Sequence, residues 1–295
     1  MAHPDLPSNV KAMTASSKMR WRHRYWHLVK NERFINNPSA ADLVKALADI
    51  GWTARLTGEP GSGIDFLAMH RKMIGHVNHM LMSANDPNWP KVEGWSEIPK
   101  DDDDEDWPEP SIPGLDAPDS WPPEIAPTLN AISAARSAAR KQRMFALETR
   151  FRDPDYLQRP ETTLDALGHD VEITVHNWMH MRYAAMPPAD GETEDVSNDW
   201  LGAPFSSHVN PYFWKLHGWI DDCIGYWERA RGETADMSDA WQAPDHAPPW
   251  DELDMGTDTL SVAKSTPRGA LFGDILAFEV PEEQISAAIA RVIGQ

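Results

Sequence analysis

The sequence predicts a mainly α fold, an antiparallel four-helix bundle with long Pro/Trp-rich loops and a small C-terminal extension. Three observations predict it. Apolar residues recur at helical spacing in several long segments, a long alanine- and arginine-rich run has strong helix propensity, and proline, glycine and aspartate gather between these segments. In chain order, residues 17–34 read as an arginine-rich opening helix. Residues 39–50 read as a second, because Leu43, Val44, Leu47 and Ile50 share a face and Ser39 is a candidate cap. After the loop GEPGSG (58–63), residues 66–82 are rich in Met and Leu and read as a buried helix. From Asn85 to about Pro127 the pattern gives way to proline, tryptophan and aspartate. The run DDDDED (101–106) in this segment reads as a solvated loop, since like charges repel and stay in water.

Residues 128–151 form the alanine- and arginine-rich helix, with Thr128 as its candidate cap. Further helices are expected at about 170–183 and 211–230, joined by a loop over 187–204. Pro211 suits the first turn of the latter and Asn210 suits its N-cap. The chain is then Pro-rich to about 250 and strand-like in GALFGDILAFEV (269–280). It ends in an amphipathic helix over 282–295 with Ile285, Ala288, Ile289 and Val292 on one face. We divide the chain into a helical domain, 1–231, and an extension, 232–295, packed on it; no internal repeat is visible.

Composition narrows the partners. Acidic residues outnumber basic ones by 46 to 27 in 295 residues, a formal charge of −19, which opposes binding to phosphate backbones and anionic lipid. Neither a nucleic acid nor a membrane is therefore expected as a partner. With no apolar run near the ~20 residues of a spanning helix and no secretory leader pattern at its start, the chain reads as soluble and cytoplasmic. The single cysteine, Cys223, excludes an internal disulfide and a cysteine zinc cage, and is expected to pack as a small apolar residue. A metal would fall to carboxylates and to the twelve histidines.

His176 and His180 in VHNWMH stand at i and i+4, on one helix face and within reach of one ion. His217 supplies a third imidazole from the helix after Pro211, with Phe213, Trp214 and Ile220 packing around it. His76 and His79 follow His70 at offsets that turn them about 120° and 180° from its face, and are expected to pack or face solvent. His169 is either a helix-start histidine or a hydrogen-bond donor behind a ligand, and His208 a polar loop residue.

The run N210-P-Y-F-W-K-L-H217-G-W-I-D221 after HNxxH resembles the second copper-binding half of the tyrosinase, catechol oxidase and haemocyanin superfamily of type 3 copper proteins, with asparagine in place of the leading aspartate. F66-L-A-M-H70-R71 resembles the F-L-x-W-H-R phrase of the first half, and KVEGWSEIPKDDDDEDW loosely resembles the stretch that follows it. The resemblance spans about residues 60–230. It implies a helical bundle holding two copper ions, each on three histidines, that bind dioxygen between them. It also implies oxidation of a small aromatic substrate: ortho-hydroxylation of phenols, oxidation of catechols or o-aminophenols, or both. For the second ion it implies His176, His180 and His217. For the first it implies His70, but residues 28–69 lack the two histidines the family carries there. His23 and His27, a second i, i+4 pair in WRHRYWH, are the candidates to complete that site, resembling the arrangement in arthropod haemocyanins.

The resemblance also gives Asn177 the position of an asparagine that orients a water for deprotonating a phenol. Asp165 and Glu172 are the nearest acidic candidates for its partner, at spacings unlike the family's. Arg71, beside His70, and Asp221, one turn after His217, are expected either to bond across the bundle or to face solvent. The principal expectation is thus a copper oxidase or monooxygenase using dioxygen, with a copper-delivery partner chain as an adjunct. The alternatives are a single three-histidine site in a metal- or dioxygen-binding or interaction protein, and a mononuclear hydrolase.

Overall fold

The computed structural model describes residues 4–100, 108–186, 188, 190–244, 278 and 280–293. The fold is mainly α, and no strand occurs among the described residues. The acidic run 101–106 and nearly all of the strand-like segment 269–280 lie outside the described residues. No described helix is long and apolar enough to cross a membrane.

The expected opening helix is broken in two because Asn31 turns to an extended conformation and its side chain caps the next turn. After α1 (Ser8–Thr14), this leaves α2 (Ser17–Lys30), capped by Ser16, and the short α3 (Glu32–Ile35). Helix α4 (Ala41–Asp49) follows a 3₁₀ turn at Pro38–Ala40. Ser39 is not its cap; the Asn37 side chain instead accepts from the Ser39 N–H. Helix α5 (Ser62–Ala84) begins inside the glycine-rich loop, earlier than periodicity indicated.

The alanine- and arginine-rich run also divides, into α6 (Ala126–Ala135) and α7 (Ala138–Arg150), where Ser137 is extended and caps α7. Thr128 is no cap, because α6 starts two residues before it and buries it. The short α8 (Pro154–Leu157) leads to a helix that starts at Leu164, capped by Thr163, rather than near 170. It runs as α9 (Leu164–Val171), a π-helical turn (Glu172–His176) and α10 (Asn177–Arg182). The wider turn shifts the register of everything C-terminal to it, a device frequent at functional sites. Helix α11 (Pro211–Arg231) has Asn210 as N-cap and Pro211 in its first turn. Helix α12 (Glu282–Ile293) packs on α7 and on the π turn.

Glycine sets how closely the site-bearing helices approach. At Gly63 of α5 and Gly168 of α9 the backbones touch, and a Cβ on either would overlap the main chain of the other helix. Asp165 fixes the same crossing by accepting the Gly61 N–H at 2.8 Å and the Gly63 N–H at 2.9 Å, so its carboxylate caps α5 and is not available to the histidines. A second crossing joins Gly94 to Gly218, so the segment after α5 lies directly on α11 beside His217. Both contacts set side-chain positions one or two turns away. Gly168→Ala must push α9 off α5, costing about 1–3 kcal/mol as overpacking does. Thermal denaturation should show a lower Tm, and an unchanged Tm would contradict so tight a crossing.

Candidate metal centre

Seven histidines meet in the core: His23 and His27 from α2, His70 from α5, His176 and His180 from the π turn and α10, His208 from the loop before α11, and His217 from α11. All are buried, His27 being the most accessible at 6%. Two triads bring one ring nitrogen from each member to within 4.8 Å of one another: His23, His27 and His70, and His70, His176 and His217. His70 belongs to both. His180 falls outside that limit, although its ring centroid lies 4.6 Å from His176 and 5.6 Å from His217. All six histidines expected as ligands from the sequence are therefore gathered in one buried cluster, with His70 common to both triads. His76 is half-buried and His79 exposed, and neither joins a triad; nor does His169, which faces the Gly58 turn.

The hydrogen bonds fix which nitrogen points inward. A carbonyl oxygen only accepts, so a ring nitrogen bonded to one must carry the proton. His70 Nδ1 donates to Phe66 O at 2.9 Å and His217 Nδ1 to Phe213 O at 2.7 Å, both one helical turn back. His180 Nδ1 donates to Leu201 O at 2.8 Å and His23 Nδ1 to Pro204 O at 2.6 Å. His176 Nδ1 lies 2.8 Å from Asn177 Oδ1, the acceptor of that side chain. Nε2 is then the lone-pair nitrogen of each. Those of His70, His176, His180 and His217 are buried with no hydrogen-bond partner among the described residues. His23 Nε2 stands 3.1 Å from His27 Nε2.

Converging, unsatisfied imidazole lone pairs in a dry core are costly unless a cation binds them. Neutral imidazoles backed by carbonyls and an amide are a donor set suited to copper, zinc or another borderline ion, so the residues fit a metal. Which metal is a separate matter, taken up below.

Burial, reinforced by repulsion among neighbouring imidazoles, drives the whole group toward neutrality. His23 is pushed down to about 3 and His180 to about 4, the latter by burial against the opposing Leu201 carbonyl bond. His27, His70, His176, His208 and His217 also lie well below the usual histidine range, burial being the largest cause for each. The imidazoles are held in the form that ligates metal.

Several groups support the cluster; the roles of Arg20 and Lys30 were not evident in the sequence, whereas a bond between Arg71 and Asp221 was one of the two arrangements expected. Arg20 is fully buried and binds four carbonyls: Nε to Ala15 at 2.8 Å, Nη1 to Asn198 at 2.9 Å and Phe205 at 3.2 Å, and Nη2 to Asp195 at 2.8 Å. It thereby locks the loop that carries Leu201 and Pro204, the acceptors for His180 and His23. His208 Nδ1 sits 3.0 Å from His23 Nδ1, and the His208 ring packs against the same loop carbonyl that His23 uses. Lys30, at the end of α2, donates to both oxygens of Glu172 in the π turn, at 2.8 and 3.0 Å, with both side chains buried. Arg71 Nε donates to Asp221 Oδ1 at 2.6 Å, joining α5 to α11; both are about one-third exposed, which limits the pair to roughly 0.2–1 kcal/mol.

Phe66 and Trp26 meet the imidazoles edge-on, and two further rings stack on them. Phe213 stacks on His217 at 3.7 Å and 22°, and Phe278 on His180 at 4.1 Å and 3°. Phe278 also lies 5.3 Å from His27 and 5.7 Å from His176, so the C-terminal segment covers the cluster. The free Cys223 is buried in the core, its thiol pushed well up by burial. No protein-family model and no curated protein matches this chain.

Two outcomes follow from these electrostatics. In the unfolded chain histidine titrates near 6.5, so as pH falls the unfolded state takes up protons before the folded one. Stability of the metal-free protein is full above about pH 6.5 and is lost below it, by up to ~1.4 kcal/mol per pH unit for each histidine. Urea titrations of chelated protein at pH 7.5 and 5.5 should show a markedly lower midpoint at the acid value; equal midpoints would refute the neutral cluster. Glu172→Gln strands the Lys30 charge and should cost about 3–5 kcal/mol, whereas Lys30→Met with Glu172→Leu should recover most of the loss. A double-mutant cycle measures both.

Proposed function

We propose that this protein is a copper-dependent oxidoreductase acting with dioxygen on a catechol, o-aminophenol or phenol at a dinuclear, type 3-like centre in a helical bundle. His23, His27 and His70 would hold one ion and His176, His180 and His217 the other. The observation that carries the reading is the convergence of His23, His27, His70, His176 and His217 in two triads that share His70, with the His180 ring packed against His176 and His217. The order of the motifs along the chain, which resembles that superfamily, supports it. When bound, copper supplies the dioxygen and electron-transfer chemistry, which no amino-acid side chain supplies by itself.

The protein's own contribution is to hold six neutral imidazoles in place and to exclude water. Asn177 lines the cavity beside the cluster, and because its Oδ1 accepts from His176, its amide N–H groups are the atoms left to orient a substrate hydroxyl. Glu172 lines the adjoining cavity with His27 and Asn177, but Lys30 occupies both of its oxygens. With Lys30 on both oxygens, the carboxylate is occupied rather than free to take a substrate proton, which favours catechol or o-aminophenol oxidation over hydroxylation of monophenols. A cytoplasmic location and a copper-delivery partner belong to the same proposal.

The sharing of His70 between the two triads favours one alternative, a single ion on His70, His176 and His217 in a protein that binds metal or dioxygen without turnover. Copper content after anaerobic Cu(I) loading separates the two. We expect two coppers per chain, an oxidised form silent in electron paramagnetic resonance because the ions couple, and oxygen uptake with catechol that His70→Ala abolishes. One copper per chain with an ordinary cupric signal would establish the single site instead.

A further inference from the structure

The C-terminal segment covering the cluster carries a second, polar contact, and together the two outline a ligand. A cavity of about 180 Å³ runs beside the metal centre and is walled by Asn177, Trp178, Phe278, Arg33, Arg140 and Glu282. Of these, Phe278 lays its ring flat on His180. The Glu282 carboxylate in the first turn of α12 accepts from Arg140 Nη2, and its second oxygen lies 3.8 Å from Arg143 Nη1. The Arg140 side chain is only 18% exposed, whereas Glu282 is 57% exposed. A cation is thus built into the cavity wall, and the carboxylate that meets it arrives from outside on a separate element.

The helix that delivers Glu282 is held by both ionic and apolar contacts. Besides Arg140 and Arg143, its described ionic contact is Arg291 to Asp170, at 2.5 Å. Its apolar face contributes Ala288, Ile289 and Val292 to the core. Burial of Asp170 raises its carboxyl, against the pull of Arg291. The segment presents an aromatic ring four residues before a carboxylate, one on an imidazole and the other on a guanidinium.

We propose that this cavity is the substrate site and that it selects aromatic carboxylic acids, the ring taking the place of Phe278 against His180 and the carboxylate taking the place of Glu282 on Arg140 and Arg143. The C-terminal segment is then an internal occupant that a substrate displaces. The ring position rests on the copper-oxidase reading above; the anion position rests on the arginines alone. A guanidinium binds a carboxylate through parallel N–H donors, and partial burial strengthens the pair relative to one in water. A neutral phenol of the same size would gain the stack and forgo the ion pair. Arg140 would be a specificity-determining residue, with no part in holding metal.

The test uses the full chain, with and without copper, and 3-(4-hydroxyphenyl)propionate against its methyl ester, with binding measured by calorimetry. Glu282→Gln removes the internal carboxylate and should tighten the acid about tenfold and the ester less, since both displace Phe278 but only the acid takes over the arginines. Arg140→Gln should weaken the acid at least tenfold and leave the ester within twofold. Unchanged thermal melts would establish that both variants fold. The proposal is overturned if acid and ester bind alike to the wild type and both variants, or if Arg140→Gln keeps the preference for the acid. Because binding is read on protein with and without copper, failure of the copper-oxidase reading shows separately, as protein that prefers the acid through Arg140 yet takes up no copper and oxidises no phenol.

Discussion

The rest of the structure is arranged around one constraint: imidazoles crowded into a core that water does not reach. Charged, they would repel one another and suffer the cost of burial; neutral, each presents one N–H and one lone pair. Main-chain carbonyls, with one amide oxygen, absorb the N–H groups one by one, and this turns the lone pairs toward a common centre. Among the described residues no hydrogen-bond partner absorbs the lone pairs of His70, His176, His180 and His217. A bound cation would satisfy several acceptors at once, so metal affinity and folding stability are two readings of the same arrangement.

Holding the rings in this orientation falls to residues that touch no metal. Two of the acceptor carbonyls, Leu201 and Pro204, lie in the irregular loop between α10 and α11, which has no helix of its own to fix it. Arg20 provides that rigidity, since only guanidinium has enough donors in a fixed plane to bind carbonyls on both sides of a loop. Burial lowers its pKa only to about 10, so it stays charged at neutral pH. The Lys30–Glu172 pair does the equivalent work between α2 and the π turn, where the loss of either partner would leave a charge stranded in the core.

The aromatic rings complete the enclosure from two directions. Phe213 comes from the same helix as His217 and is four residues from it, so local geometry fixes its stack. Phe278 comes from the far end of the chain, and only the docking of α12 against α7 and the π turn brings it over His180. The first stack belongs to the permanent wall of the site. The second depends on a contact between elements far apart in sequence, and this is why the same segment can cover the centre.

Much of the centre was legible in the sequence because its information is local. Two i, i+4 pairs, the Asn210-Pro211 helix start and the spacing from there to His217 are set by the 3.6-residue period and by capping chemistry. The same logic misplaced several helix ends, at Ser39, Thr128 and residue 170, because a polar residue beside a helix offers a cap without being obliged to serve as one. The assembly of His23 and His27 with His70 is not local, and only packing joined them. The carbonyls behind His180 and His23 were invisible for a different reason: every residue has a carbonyl, so residue identity says nothing about which one will face a ring. The Lys30–Glu172 and Arg140–Glu282 pairs each span 142 residues, a separation at which one sequence carries no signal of contact. The sequence by itself determined the ligand types and the helices that bear them. The tertiary structure decided which nitrogens face inward, that His70 is shared, and what covers the site, since these depend on distances between elements that no local pattern encodes.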